Sequence, residues 1–327
     1  VRLIDFCAFA VVMATASAAC AAQQPAGFAS FPSKPVRMII PLAPGGGSDI
    51  VGRIVALALA DKWHQALVVD NRPGGGSTVG TALAAKAAPD GYTLLVSSSS
   101  IAISPALYRN LPFDIRRDFA NVTLIASQPS ILAVSASVQA SSARDLIALA
   151  KASPGKLAYG SAGAGSATHL GSELFKYLSG ADILHVPYKS AGLATAALLS
   201  GEVQVLLTNM ASVLPHAKTG RLRILGITST KRSPAAPDVP TIAESGLPAY
   251  EYSTWYAMLV PAGTPAALVD RLHKDVSAVM KSQTMLDRLH AQGLDVHALS
   301  PAQTKAHVDA EITKWDKVIK AANIKVD

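Results

Sequence analysis

Cysteine is almost absent: the 327 residues hold two, Cys7 and Cys20, both near the start of the chain. That excludes a disulfide framework and thiol chemistry for the body of the chain, whose stability must come from packing. Charged residues make up only 16% and aromatics 6%. Little charge with abundant Ala and Gly excludes a disordered chain and fits a compact α/β protein, and this length favours two lobes over one domain. Beyond the leader no uninterrupted apolar run reaches the roughly twenty residues that a membrane-spanning helix needs. The net charge is +7, yet Lys and Arg are scattered and never interleaved with aromatics. Nucleic acid is therefore excluded as a partner, and a field that attracts small anions remains.

Signature motifs of catalysis are missing as well. No G-x-x-x-x-G-K-[ST] is present, so nucleotide phosphates are disfavoured. Gly-x-Ser-x-Gly is absent, and the eight His show neither H-x-x-x-H nor H-E-x-x-H spacing, which disfavours hydrolase and zinc chemistry. No cofactor and no metal are expected.

What the chain does have is glycine at three turns, each following an apolar strand and leading into a helix. They are Pro44-Gly45-Gly46-Gly47-Ser48-Asp49, Pro73-Gly74-Gly75-Gly76-Ser77-Thr78 and Gly160-Ser161-Ala162-Gly163-Ala164-Gly165-Ser166. Such a turn presents unpaired N–H groups with the positive end of a helix dipole behind them, a setting for an anion. The dinucleotide fingerprint G-x-G-x-x-G fails at all three, because Ile50, Val79 and Thr168 stand where the last Gly belongs. Tight strand termination is the plainer explanation, strongest for the Gly74 turn. The first and third turns are far enough apart in sequence to lie on different lobes, and an anion gripped from two lobes suits a receptor better than a catalyst.

At the N-terminus, Arg2 precedes an apolar run over residues 6–13 and a small-residue tract over 14–22. Residues 1–22 read as a secretory signal peptide cleaved near Ala22. A buried first helix is the alternative, though nothing polar gives the segment an outer face. Ser17-Ala18-Ala19-Cys20 resembles a lipoprotein box, except that Ser17 stands where a larger aliphatic residue is usual; lipidation at Cys20 is the alternative to simple cleavage.

Strands over residues 36–40, 67–69 and 92–96 alternate with helices over 50–63 and 78–88, a βαβαβ order that calls for a parallel sheet. Residues 104–119 read as a looser, proline-punctuated stretch. Ser127-Gln128-Pro129, between apolar runs at 122–126 and 131–134, reads as the first crossing to a second lobe. That lobe repeats the alternation, with helices over 142–152, 167–179 and 193–199 and strands over 156–159, 183–186 and 203–207. Residues 223–227 are expected to carry the chain back, followed by a strand over 255–260 and helices over 265–280, 285–291 and 301–322. Two crossings between similar α/β lobes are the layout of a hinged solute receptor, although two Rossmann halves generate the same pattern.

Ser48 is a candidate N-cap with Asp49 in the first helical turn, where a carboxylate helps the dipole. Asp49 either braces the loop or accepts hydrogen bonds from ligand hydroxyls or water. The tract Ser97-Ser98-Ser99-Ser100 lies at the C-terminal end of a strand, the sheet edge where ligands bind. Ser166 as N-cap places His169 one turn on, from where its imidazole could turn toward a cleft.

Over nearly its whole length beyond the leader, the chain resembles the substrate-binding receptors of tripartite tricarboxylate transporters, the Bug family. The matching segments include Phe31-Pro-Ser-Lys-Pro-Val36, Ile40-Pro-Leu-Ala-Pro-Gly-Gly-Gly-Ser-Asp49, Asn71-Arg-Pro-Gly-Gly-Gly76 and Ala88-Pro-Asp-Gly-Tyr-Thr-Leu94. Gly160-Ser-Ala-Gly-Ala-Gly-Ser-Ala-Thr-His-Leu170, His185-Val-Pro-Tyr-Lys189, Asp238-Val-Pro-Thr241 and Val260-Pro-Ala-Gly-Thr-Pro265 continue the series. Singly these are weak; in this order they are highly specific.

The resemblance implies a non-enzymatic periplasmic receptor with the two-lobed type II periplasmic-binding-protein fold, each lobe a mainly parallel sheet flanked by helices. Residues 23–127 and 227–327 would form lobe 1, and 128–226 lobe 2. The receptor would close on a small carboxylate and deliver it to membrane transporter subunits, with docking on a sensor histidine kinase as the alternative. Carried onto this sequence, the ligand contacts are Gly46, Gly47, Ser48 and Asp49 from one lobe and Ser166, Thr168 and His169 from the other. Ser98, Ser99, Tyr188 and Asn209 are further candidates. This chain departs from the family pattern at Leu42, usually aromatic, at Ser190 and Ala257, usually glycine, and at Thr208, often Asp. The last departure points to a ligand with no required amine: a di- or tricarboxylate or an aromatic acid.

Overall fold

The computed structural model describes residues 30–45, 47–188, 190–233 and 236–324. The expected leader, with Cys7 and Cys20, lies outside the described residues, as does Gly46.

The chain opens with β1 (Val36–Ile40), α1 (Gly47–Trp63), β2 (Leu67–Asn71), a 3-10 turn (Gly75–Ser77), α2 (Thr78–Ala85) and β3 (Thr93–Ser98). Then come α3 (Ser100–Leu107), α4 (Ile115–Asp118) and the 17-residue strand β4 (Phe119–Ser135). Next follow α5 (Ala143–Ala152), β5 (Ala158–Ser161), α6 (Ala167–Ser179), β6 (Leu184–Pro187), α7 (Ala191–Ser200), β7 (Val205–Asn209), α8 (Met210–Lys218) and β8 (Leu222–Ile227). The chain ends with β9 (Ser253–Pro261), α9 (Ala266–Met280), α10 (Gln283–His290), β10 (Asp295–Val296) and α11 (Pro301–Ala321).

Two parallel triplets, β2-β1-β3 and β7-β5-β6, form the outer parts of the sheet. Antiparallel strands join them. β9 pairs with β3 and with residues 119–129 of β4, and the remainder of β4 pairs with β7 on one edge and β8 on the other. The lobes are thus of mixed rather than mainly parallel sheet, because the long connecting strands run against the triplets.

The crossing expected at Ser127-Gln128-Pro129 is made within the single strand β4. Pro129 pairs with Ser253 at the end of the β9 register, and Ser130 begins the β7 register opposite Asn209. A proline that donates nothing fits this handover point, where its missing N–H breaks neither ladder. β8 does not carry the chain back; it stays against β4, and the chain rejoins the first part of the sheet at β9. Residues 104–107 end α3 with Pro105 inside it, and α8, which contains Pro215, had no counterpart in the sequence reading.

Alternation along the strands builds a core on both faces. In the first lobe Met38, Leu94, Val96 and Met258 pack under α1 and α9, while Ile39, Leu95 and Leu259 face Ile101 of α3 and Val308 and Ile312 of α11. In the second, Leu132, Val134 and Leu207 meet α5 and α6, and Ile131, Ala133 and Leu206 meet α7 and α8. The end of α11, through Trp315, Val318 and Ile319, enters the second lobe's core. Glu311 fixes the helix at the hinge: its Oε2 accepts the indole N–H of both Trp255 and Trp315, each at 3.1 Å.

Candidate functional site

The strands of both triplets end at one cavity of about 470 Å³ between the lobes, a size ordinary for a small-molecule site. Its wall includes Gly47, the first residue of α1; Ser77, just before α2; and Ser100, which opens α3. From the other lobe come Ala167 and Ala191, the first residues of α6 and α7, and Asn209, which caps α8. Six helices therefore begin at this cavity. Gln128, Ser130, Thr254 and Tyr256 of the hinge strands form its floor. Among the described residues that line it there is no carboxylate, no Lys or Arg and no imidazole, and Tyr256, its pKa pushed up to about 12 by burial, keeps its proton.

Two hydroxyls in this wall are buried and bonded to nothing. Ser48 and Thr208 are each 1% exposed, and neither Ser48 Oγ nor Thr208 Oγ1 has a hydrogen-bond partner. They come from opposite lobes. An unsatisfied buried hydroxyl costs about 1–3 kcal/mol, and these two stand in one cavity, where a bound solute can supply the partner.

A third donor ends a chain of hydroxyls. Ser100 Oγ donates to Ser77 Oγ at 3.1 Å, and Ser98 Oγ lies 2.9 Å from Ser100 Oγ. With the Ser100 proton directed to Ser77, Ser98 must donate to Ser100, and the Ser77 proton is left over. Ser77 holds a left-handed backbone (φ 84°), a conformation that a non-glycine residue keeps only when its surroundings impose it.

The loop before α6 spends its hydroxyls on itself. Ser166 Oγ donates to the Gly163 carbonyl at 2.6 Å and accepts the His169 N–H, and Thr168 Oγ1 accepts the Ala162 N–H at 2.8 Å. What this loop presents to the cavity is the start of α6, whose first N–H groups find no backbone acceptor.

Of the residues expected from sequence, Gly47, Ser48, Ser98, Ser99, Ser166, Thr168 and Asn209 line the cavity. Asp49, His169 and Tyr188 do not. Ser48 is also not an N-cap, because α1 starts at Gly47 and takes it in. Asp49 braces the loop: it accepts from the Gly45 N–H at 2.9 Å, from Arg53 at 2.9 Å and from Asn71 at 3.0 Å. Burial pushes its carboxyl up, but those hydrogen bonds outweigh burial and hold it below the usual carboxylate value. The His169 imidazole turns inward. Its Nδ1 accepts the Gly165 N–H at 2.9 Å, and its ring stacks on His185 with centroids 4.1 Å apart. Burial, then the neighbouring His185, lower its pKa to about 4, so it is neutral. Tyr188 donates to Glu202 at 2.8 Å, away from the cleft.

Ser77, Ser130, Thr254 and Tyr256 were not anticipated. Ser77 sits in a glycine turn that the sequence does show, whereas Thr254 and Tyr256 depend on the register of β9 with β4, and Ser130 on that of β4 with β7, which nothing local encodes.

A mixed sheet in two lobes, with a neutral cavity between them walled by helix starts, defines a solute-binding protein of the type II periplasmic class. The chain belongs to the tripartite tricarboxylate transporter receptor family, whose model matches residues 51–324. It is 37% identical over 299 residues to Protein BugT of Bordetella pertussis, covering 91% of this chain and 92% of that one. Among solved structures it is similar to Rpa4515 of R. palustris with adipate (TM-score 0.76, 35% identity, 90% of this chain and 99% of that one). MatC from Rhodopseudomonas palustris with bound malate is also similar (TM-score 0.72, 28% identity, 88% and 100%). The family is one of solute-binding receptors, not of enzymes. Among the described residues no helix is long and apolar enough to cross a membrane.

Proposed function

We propose that this protein captures a carboxylate-bearing solute in the interlobe cavity and delivers it to the membrane subunits of a tripartite transporter. The observation that carries the reading is the pair of unpartnered hydroxyls, Ser48 Oγ and Thr208 Oγ1, in a wall of helix starts that has no charged side chain among the described residues. Six helix N-termini bias such a cavity toward negative charge without a salt bridge. Hydrogen bonds to a charged group contribute roughly 1.5–3 kcal/mol each, so four or five, less the cost of ordering, reach a micromolar affinity of about −8 kcal/mol. A ligand touching both lobes favours the closed state over the open one. Relatives with bound adipate and malate support the carboxylate, and the family supports the transporter and a periplasmic location. None of the relatives points to a sensor kinase.

The test is a thermal-shift and calorimetric screen of protein that has been unfolded and refolded to strip carried-over ligand. Mono-, di- and tricarboxylates are compared with their amides. Carboxylates should raise the melting temperature by mass action and the amides should not. Equal binding of acid and amide would remove the anion from the reading.

A further inference from the structure

The cavity is not polar throughout. On α3 the residues that face it are Ser100, Ile103, Ser104 and Leu107, the i, i+3, i+4, i+7 stripe of one helix face. Hydroxyls line the start of this stripe and leucine its end, about 10 Å further along at 1.5 Å per residue. From the facing lobe α6 repeats the gradient, from Ala167 and Thr168 at its start to Leu170 one turn on. Ile103 and Leu170 belong to one buried cluster, with Leu107 packed against it, so the apolar end is closed by both lobes together. Leu42 adds a further apolar surface to the cavity. Among the described residues no charged group stands at that end to receive a second carboxylate.

Resting on the carboxylate reading above, we infer that the solute is an acid with one carboxylate and an apolar aliphatic or aromatic body, the body lying between Ile103, Leu107 and Leu170. Short hydroxylated polycarboxylates are thereby disfavoured. A second carboxylate carried into the Leu107 end would lose water and meet no cationic side chain among the described residues. A methylene placed there gains the transfer free energy of leaving water, worth about fourfold in affinity per group.

Calorimetric titration of the refolded full chain with acetate, butyrate, hexanoate and benzoate, beside malate and citrate, tests this. Affinity should rise about fourfold per methylene along the aliphatic series, with benzoate or hexanoate binding at least tenfold tighter than malate or citrate. Leu107→Asn, at a half-exposed position, should weaken hexanoate and benzoate and so flatten that slope. Tighter binding of malate or citrate than of every apolar acid would overturn the inference and leave the carboxylate reading standing. A flat aliphatic series would overturn it equally. Failure of every acid, with an amide or amine binding instead, would overturn both.

Discussion

Gly47 and Tyr256 leave no room for a methyl group between them. A Cβ on Gly47 would lie 2.0 Å from Tyr256 Oη and 2.8 Å from its Cζ. The phenol cannot swing clear, because its ring belongs to the first lobe's core and its hydroxyl donates to Gln128 at 3.3 Å. The start of α1 therefore rests on the hinge strand β9. Gly47→Ala should push the helix start off the ring, costing about 1–3 kcal/mol as overpacking does. It should also weaken carboxylate binding at least tenfold, because the N–H groups of α1 lose their aim. Chemical denaturation and calorimetry of the variant check both. Unchanged affinity would mean that α1 does not position the ligand.

The unpartnered hydroxyls predict effects of opposite sign on stability and on binding. Ser48→Ala and Thr208→Val each remove a buried polar atom that has no partner, so the empty protein should be as stable as the wild type or up to about 1 kcal/mol more so. Each should weaken ligand binding by roughly ten- to a hundredfold, the worth of a hydrogen bond to a charged group. Urea melts without ligand and titrations with it separate the two. Loss of stability in the empty form would show that these hydroxyls serve the fold.

How far the sequence carried the reading can be seen element by element. α6 was legible to the residue, because both its ends are set locally: Ser166 caps it, and Gly180 ends it with φ 66°. β4 and α8 were not: β4 was read as two short runs on either side of a crossing at 127–129, and α8, with Pro215 inside it, was not read as a helix. Within the site, residues at strand ends and helix starts were legible because glycine and serine mark those positions. Asp49 and His169 each sit in the first turn of a helix, and other partners compete for both: Gly45, Arg53 and Asn71 hold the carboxylate, the bracing that the sequence left open, and His185, remote in sequence, holds the imidazole. Only the fold reveals that competition.

Ser77 separates backbone strain from ligand contact. Its φ of 84° is a glycine conformation held by a serine, so Ser77→Gly should relieve strain and keep or raise stability, while Ser77→Ala keeps the strain. Both remove the hydroxyl that ends the Ser98–Ser100–Ser77 chain. Both should therefore lose affinity by a similar factor, about tenfold, with different melting temperatures. If Ser77→Gly bound as well as the wild type, the hydroxyl would have no role at the ligand.

The stacked pair His169 and His185 gives the protein an acid-sensitive second lobe. Burial, reinforced by His185, lowers His169 to about 4, and burial lowers His185 as well. The charge of Glu173 pulls both upward but less strongly, and Lys176 opposes it. In the unfolded chain both imidazoles titrate near 6.5. Between that value and the folded one, the unfolded state binds more protons, so stability rises with pH across the window. The contribution is complete above about pH 6.5 and is lost as the pH falls toward 4, on the order of 3 kcal/mol for His169. His273, His297 and His307 are lowered mainly by burial too and add in the same direction. Asp49 acts lower: its depressed carboxyl contributes stability that disappears only as the pH falls through its folded value, below the usual carboxylate range. Urea denaturation at pH 7.5 and pH 5.0 should show the loss, and the His169→Gln/His185→Gln variant should show a shallower one. An NMR titration of the imidazole Cε1–H signals reads the cause directly. A His169 signal moving with a midpoint near 6.5 would sink the account, because that ring would then accept its proton at no cost to the fold.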